Sequence, residues 1–291
     1  MLTPPFAPLL NTDNTALDAV FYDIGTLTDD EQAALSNSDK PEGMILEVGP
    51  SYARDLKVWR CLADCDALAR RYRAITVAGV GSSALGAAAL ARNVADAVDG
   101  KVLAVVSGLG MADLTTEAMG GFFLFGGLNA VRHGLQSFST LWPFAPSLAP
   151  SALRAIEPAS KFALSQNSED VKALINLLSG KVETNLLVGH SKGNLVISEA
   201  LYALRTIAPK RFEAIAEAVE IVTYGARIAM PTEIKTVIDV MGDLDSFGAL
   251  NSRPDIAVDV LIPNAWHHTN TELPWHVPVT KTLRNILKPQ S

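Results

Sequence analysis

Ser191 lies in the run Gly189-His190-Ser191-Lys192-Gly193. A serine is a poor nucleophile at neutral pH until a neighbouring base takes its proton. That base needs a pKa near neutrality, so a histidine is expected, with a carboxylate on its far ring nitrogen. Glycines two positions to either side let a strand and a helix approach each other across a sharp turn that exposes the serine. The flanks agree with such a turn. TNLLVGH (184–190) reads as a strand, and NLVISEALYAL reads as the helix after it.

Partners of a serine in this setting follow in the order acid, then histidine. TVIDVMGDLDSFG places Asp243 and Asp245 just after a strand. Asp245 is preferred, because Gly-x-x-Asp lets the turn leave the strand before the carboxylate arrives. Asp239 lies inside the strand and fits less well. Beyond the last strand stand His267 and His268, with His276 further on. The reading puts His267 ahead of His268, although spacing alone does not separate neighbours, and His276 behind both. By strand alternation His190 points away from the serine and reads as a packing or supporting residue, while His133 is upstream and out of order. Developing negative charge on a carbonyl oxygen needs backbone donors. Lys192 N–H is one, and Val80 or Gly81 N–H, in the loop after an earlier strand, is the other.

With these residues in view, the chain resembles the α/β-hydrolase superfamily, and within it the class 3-type lipases. The likeness rests on Gly189–Gly193, on Val222-Thr223-Tyr224-Gly225 with Arg227, and on Asp245. It covers about residues 184–270. Gly242 stands where that family has Asn, and no Pro precedes Arg227. The resemblance implies a serine ester hydrolase without cofactor or metal. It implies a small or apolar acyl-ester substrate, and lipid or polyester surfaces are within its scope.

The elements that must position these residues alternate. Apolar strands are expected at 74–79, 101–108, 184–190, 220–225, 236–242 and 255–263. Helices are expected at 53–71, 83–98, 194–206, over EDVKALINLLSG and at the C-terminal end. Buried strands alternating with helices imply an α/β fold, a mostly parallel sheet flanked by helices, taken as one domain over 1–291. FYDIGTLTDD, with Asp23, is expected as a strand or loop near its start. Residues 109–150, with MGGFFLFGGLNAV, read either as a core helix or as a cap or acyl-binding insertion over the site.

Bulk properties narrow the class. The net charge is −7 and no basic cluster appears, so a nucleic-acid partner is disfavoured. Cys61 and Cys65, four apart, read as two small apolar side chains on one helical face, not as a metal or redox pair. Residues 74–91 carry no charge, but their Gly-Val-Gly-Ser-Ser break reads as strand, turn and helix, not as a transmembrane segment. No signal peptide is apparent, which leaves the cytoplasm as the default address. Two rival readings remain. Gly79-Val80-Gly81-Ser82-Ser83-Ala84 could open a dinucleotide site of an oxidoreductase, though no acid ends the next strand. A hydrolase-like fold could also serve as a non-catalytic binding protein.

Overall fold

The computed structural model describes residues 14–36, 42–59, 71–79, 82–107, 168–180 and 182–288. Its centre is one sheet of eight strands: β1 (Ile45–Val48), β2 (Leu56–Trp59), β3 (Ala74–Val77), β4 (Val102–Val105), β5 (Leu186–His190), β6 (Glu220–Tyr224), β7 (Thr236–Gly242) and β8 (Val260–Ile262). Their order is β2-β1-β4-β3-β5-β6-β7-β8. From β4 to β8 every pairing is parallel, and β1 runs antiparallel to both of its neighbours.

Side-chain alternation divides the core in two. Ile75, Val77, Leu103, Val105, Leu187 and Ile221 face one side. There α4 (Glu169–Ser179), α5 (Lys192–Ile207) and α6 (Pro209–Ala218) cover them with Leu174, Leu201 and Phe212. Ala74, Val102, Ala104, Val188 and Val222 face the other side, beneath α3 (Ala84–Val98) and the C-terminal α8 (Val279–Ile286). Both faces being covered explains why the central strands read as unbroken apolar runs.

Two sequence expectations are corrected. Residues 53–59 are not helical, because Leu56–Trp59 pairs with β1 in the register Ile45↔Trp59 to Val48↔Leu56. The exposed Lys57 between half-buried Leu56 and Val58 is the alternation of an edge strand. Cys61 and Cys65 fall outside the described residues. FYDIGTLTDD is neither strand nor open loop. It ends helix α1 (Asn14–Phe21), makes a 3-10 turn over Ile24–Thr26 and starts α2 (Asp29–Ser36). A reciprocal cap starts α2: Thr28 N–H donates to Glu31 Oε2 at 2.9 Å, and Glu31 N–H to Thr28 Oγ1 at 3.3 Å. Glu31 also pairs with the fully buried Arg92 of α3, whose Nη1 holds the carbonyls of Gly49 and Pro50 at 2.9 and 3.0 Å. This pair ties α2, α3 and the turn after β1 together.

Candidate functional site

Ser191, Asp245 and His267 lie beyond the C-terminal ends of β5, β7 and β8. Ser191 occupies the turn from β5 into α5 with φ 53° and ψ −121°. A non-glycine residue in such a conformation costs about 1–3 kcal/mol and persists only where its surroundings enforce it. Here Ser191 N–H donates to Tyr224 O at 2.8 Å. Asn194 Nδ2 bridges the carbonyls of Tyr224 and Ala226 at 3.0 and 2.8 Å. The flanking glycines are required by contact. A Cβ on Gly193 would lie 2.1 Å from Val77 O, and one on Gly189 would lie 2.2 Å from Asn194 Oδ1. The end of β3 presses on the same turn, since a Cβ on Gly79 would lie 2.9 Å from the Ser191 Cβ.

Asp245 follows β7 and starts the short α7 (Ser246–Leu250), accepting Gly248 N–H at 2.6 Å on Oδ1. His267 Nδ1 lies 2.8 Å from Asp245 Oδ2 and 3.0 Å from Oδ1. An ionised carboxylate only accepts, so Nδ1 carries the proton and Nε2 of a neutral ring is left as an acceptor. Both side chains are buried. The edge-on rings of Phe247 and Phe21, centred 4.8 and 6.1 Å away, hold the imidazole. Gly225, at φ +70°, makes room for it, as a Cβ there would lie 2.8 Å from His267 Cε1.

The other candidates lie elsewhere. His268 does not join Asp245. Its Nε2–H donates to Pro274 O at 3.0 Å, its buried Nδ1 has no hydrogen-bond partner among the described residues, and burial pushes its pKa down. His276 is half-buried, and its Nδ1 lies 3.0 Å from Leu273 O. Asp243 is exposed. Asp239 is buried against Thr223 Oγ1, and that burial pushes its carboxyl up to about 6. Lys192 opens α5, one residue past the turn. Val80, Gly81, His133 and the stretch 109–150 lie outside the described residues.

Tyr22 and Asp18 carried no signal in the sequence, whereas His190 reads there as a packing or supporting residue. Tyr22, just past α1, takes Gly79 N–H on its hydroxyl at 2.6 Å and stands 3.0 Å from His190 Nδ1. His190, between Tyr22 and His267, has Nε2 2.9 Å from His267 O. Asp18 sits at the N-terminus of α3, taking Ser83 N–H at 3.1 Å together with the Ser83 hydroxyl. Desolvation pushes its carboxyl up to about 6, against the pull of those hydrogen bonds. Leu244, Phe247 and Leu250, near Asp245 in the chain, and Trp275 are exposed apolar side chains. Among the described residues no helix is long and apolar enough to cross a membrane. No protein-family model, curated protein or solved structure matches this chain.

Proposed function

We propose that the chain is a serine carboxylic-ester hydrolase of the α/β-hydrolase fold, working through an acyl-enzyme on Ser191. The observation that carries this reading is the 2.8 Å contact of His267 Nδ1 with Asp245 Oδ2, at the same sheet edge as a serine held at φ 53°. Ser191 Oγ attacks the ester carbonyl carbon while its proton passes to His267 Nε2. Asp245 fixes the ring tautomer and stabilises the imidazolium that forms. Lys192 N–H, in the first turn of α5, donates to the developing oxyanion, and Val80 or Gly81 N–H is the second donor of this reading. The tetrahedral intermediate expels the alkoxide, which takes the proton from Nε2. Water then repeats the sequence on the acyl-enzyme.

An apolar acyl group is the better fit. Leu244, Phe247 and Leu250, close to Asp245 in the chain, are exposed, and Phe247 also meets the His267 ring edge-on. Exposed apolar side chains beside the pair favour contact with a lipid or polyester surface. The dinucleotide reading is the weaker one. A pyrophosphate would need the N-terminus of α3, and the Asp18 carboxylate already sits there.

Labelling with a serine-reactive alkyl phosphonate, read by peptide mass, tests the proposal. The expected adduct is on Ser191 alone, and its absence from folded protein overturns the reading.

A further inference from the structure

The hydrogen bonds behind the reacting corner have a fixed direction. Gly79 N–H only donates, so the Tyr22 hydroxyl oxygen receives it at 2.6 Å. The carbonyl of His267 only accepts, so His190 Nε2, 2.9 Å away, must carry a proton. His190 is fully buried, and burial pushes its pKa down to about 3. The ring is therefore neutral and its Nδ1 is bare. The Tyr22 hydroxyl, 3.0 Å from that Nδ1, donates its hydrogen there. All three groups are buried, so none of these bonds is exchanged for water at no cost.

We infer that Tyr22 and His190 are positioning residues, a one-way relay from Gly79 N–H through the tyrosine hydroxyl and the His190 ring to the His267 carbonyl. The inference rests on the ester-hydrolase reading, and it says how that site is kept in register. The relay grips the main chain of His267 from behind, while Asp245 holds its ring from the side. It also engages the Gly79 amide, so any oxyanion donor on this loop comes from a later residue. Its neutrality matters too. The His190 and His267 rings are centred 4.9 Å apart, and a positive charge on the first would oppose the imidazolium formed on the second. Gly225 is the spacer between them, since a Cβ there would lie 3.0 Å from His267 Nδ1 and 3.4 Å from His190 Nε2.

The test has two arms. In the wild-type protein with 15N-labelled histidine, NMR should find His190 protonated on Nε2 and bare on Nδ1 from pH 5 to pH 8. A proton on Nδ1 anywhere in that range overturns the relay. In the second arm, phosphonate labelling of Ser191 is timed in variants. Tyr22→Phe should slow labelling and ester kcat by roughly 10- to 100-fold with KM little changed, as expected for the loss of the two buried hydrogen bonds of its hydroxyl. His190→Gln, whose amide can still reach the His267 carbonyl, should recover most of the rate that His190→Leu loses. Equal rates in the glutamine and leucine variants, or an unchanged Tyr22→Phe, overturn the inference. A wild-type protein that does not label at all instead overturns the hydrolase reading beneath it.

Discussion

Two strand-to-helix turns stand at the same end of the sheet and are finished in opposite ways. At the turn from β3 into α3, Ser83 has an ordinary extended conformation, and its Oγ accepts Leu85 N–H at 3.1 Å. Asp18 then closes the helix end from outside. At the turn from β5 into α5, Ser191 sits at φ 53° and makes no side-chain cap. Helix N-termini offer unsatisfied N–H groups and a partial positive charge. One turn uses them on the protein's own carboxylate, at the desolvation cost that raises Asp18. The other holds its serine under strain with no carboxylate of its own in the first turn. The first is closed by a buried carboxylate, and the second, on the proposed reading, is left open for chemistry.

Substitutions can break this contrast. The largest effect belongs to the open turn. Ser191→Ala and Ser191→Gly should each lower ester turnover by roughly 10³-fold or more. Only the glycine variant should also relax the positive φ and gain about 1 kcal/mol in urea unfolding. A stability gain in both variants, or in neither, would show that the turn is not strained by its backbone. Next is the contact between the turns. Gly193→Ala puts a methyl 2.1 Å from Val77 O, a backbone atom of β3. It should cost roughly 2–4 kcal/mol of stability, measured by the shift of the denaturant midpoint.

The smallest effect belongs to the closed turn and depends on pH. The carboxyl of folded Asp18, at about 6, lies above that of an unfolded aspartate, near 4. Its contribution to stability is therefore fully present below pH ~4 and is lost as pH rises through ~6. Asp18→Asn, which has no charge to desolvate, should match wild type at pH 4. At pH 8 it should exceed wild type by about 1–3 kcal/mol. A constant difference between the two proteins across that range would refute the assignment of cause.

The parallel strands were legible because both faces of the sheet are covered, so β3, β4 and β5 appear as short apolar runs. The serine turn was legible because its glycine spacing is written locally, even though Gly193 is required by contact with Val77 of β3. What was not legible depends on partners far away in the chain. Leu56 and Trp59 share a helical spacing, and only pairing with Ile45–Val48 makes them a strand. His267 and His268 are alike as neighbours, and only the folded chain turns one toward Asp245 and the other toward Pro274 O. Tyr22 and Asp18 act on residues 57 and 65 positions on, so no local pattern marks them.

The loop after β8 is stitched to the first described helix. Thr269 N–H and Oγ1 both donate to Phe21 O, at 2.8 and 3.0 Å. Asn270 Nδ2 donates to Ala19 O at 2.5 Å, and Thr271 Oγ1 to Asp23 Oδ2 at 2.6 Å. A chain emerging from the ribosome makes residues 19–23 long before residues 269–271 exist. Until then α1 has nothing to hold on this side, and the histidine loop has no place to dock. On the proposed ester-hydrolase reading, hydrolysis would therefore begin only after about 250 residues of loop have been closed. Activity appearing during synthesis would report the joining of early and late segments, not the earlier formation of the sheet.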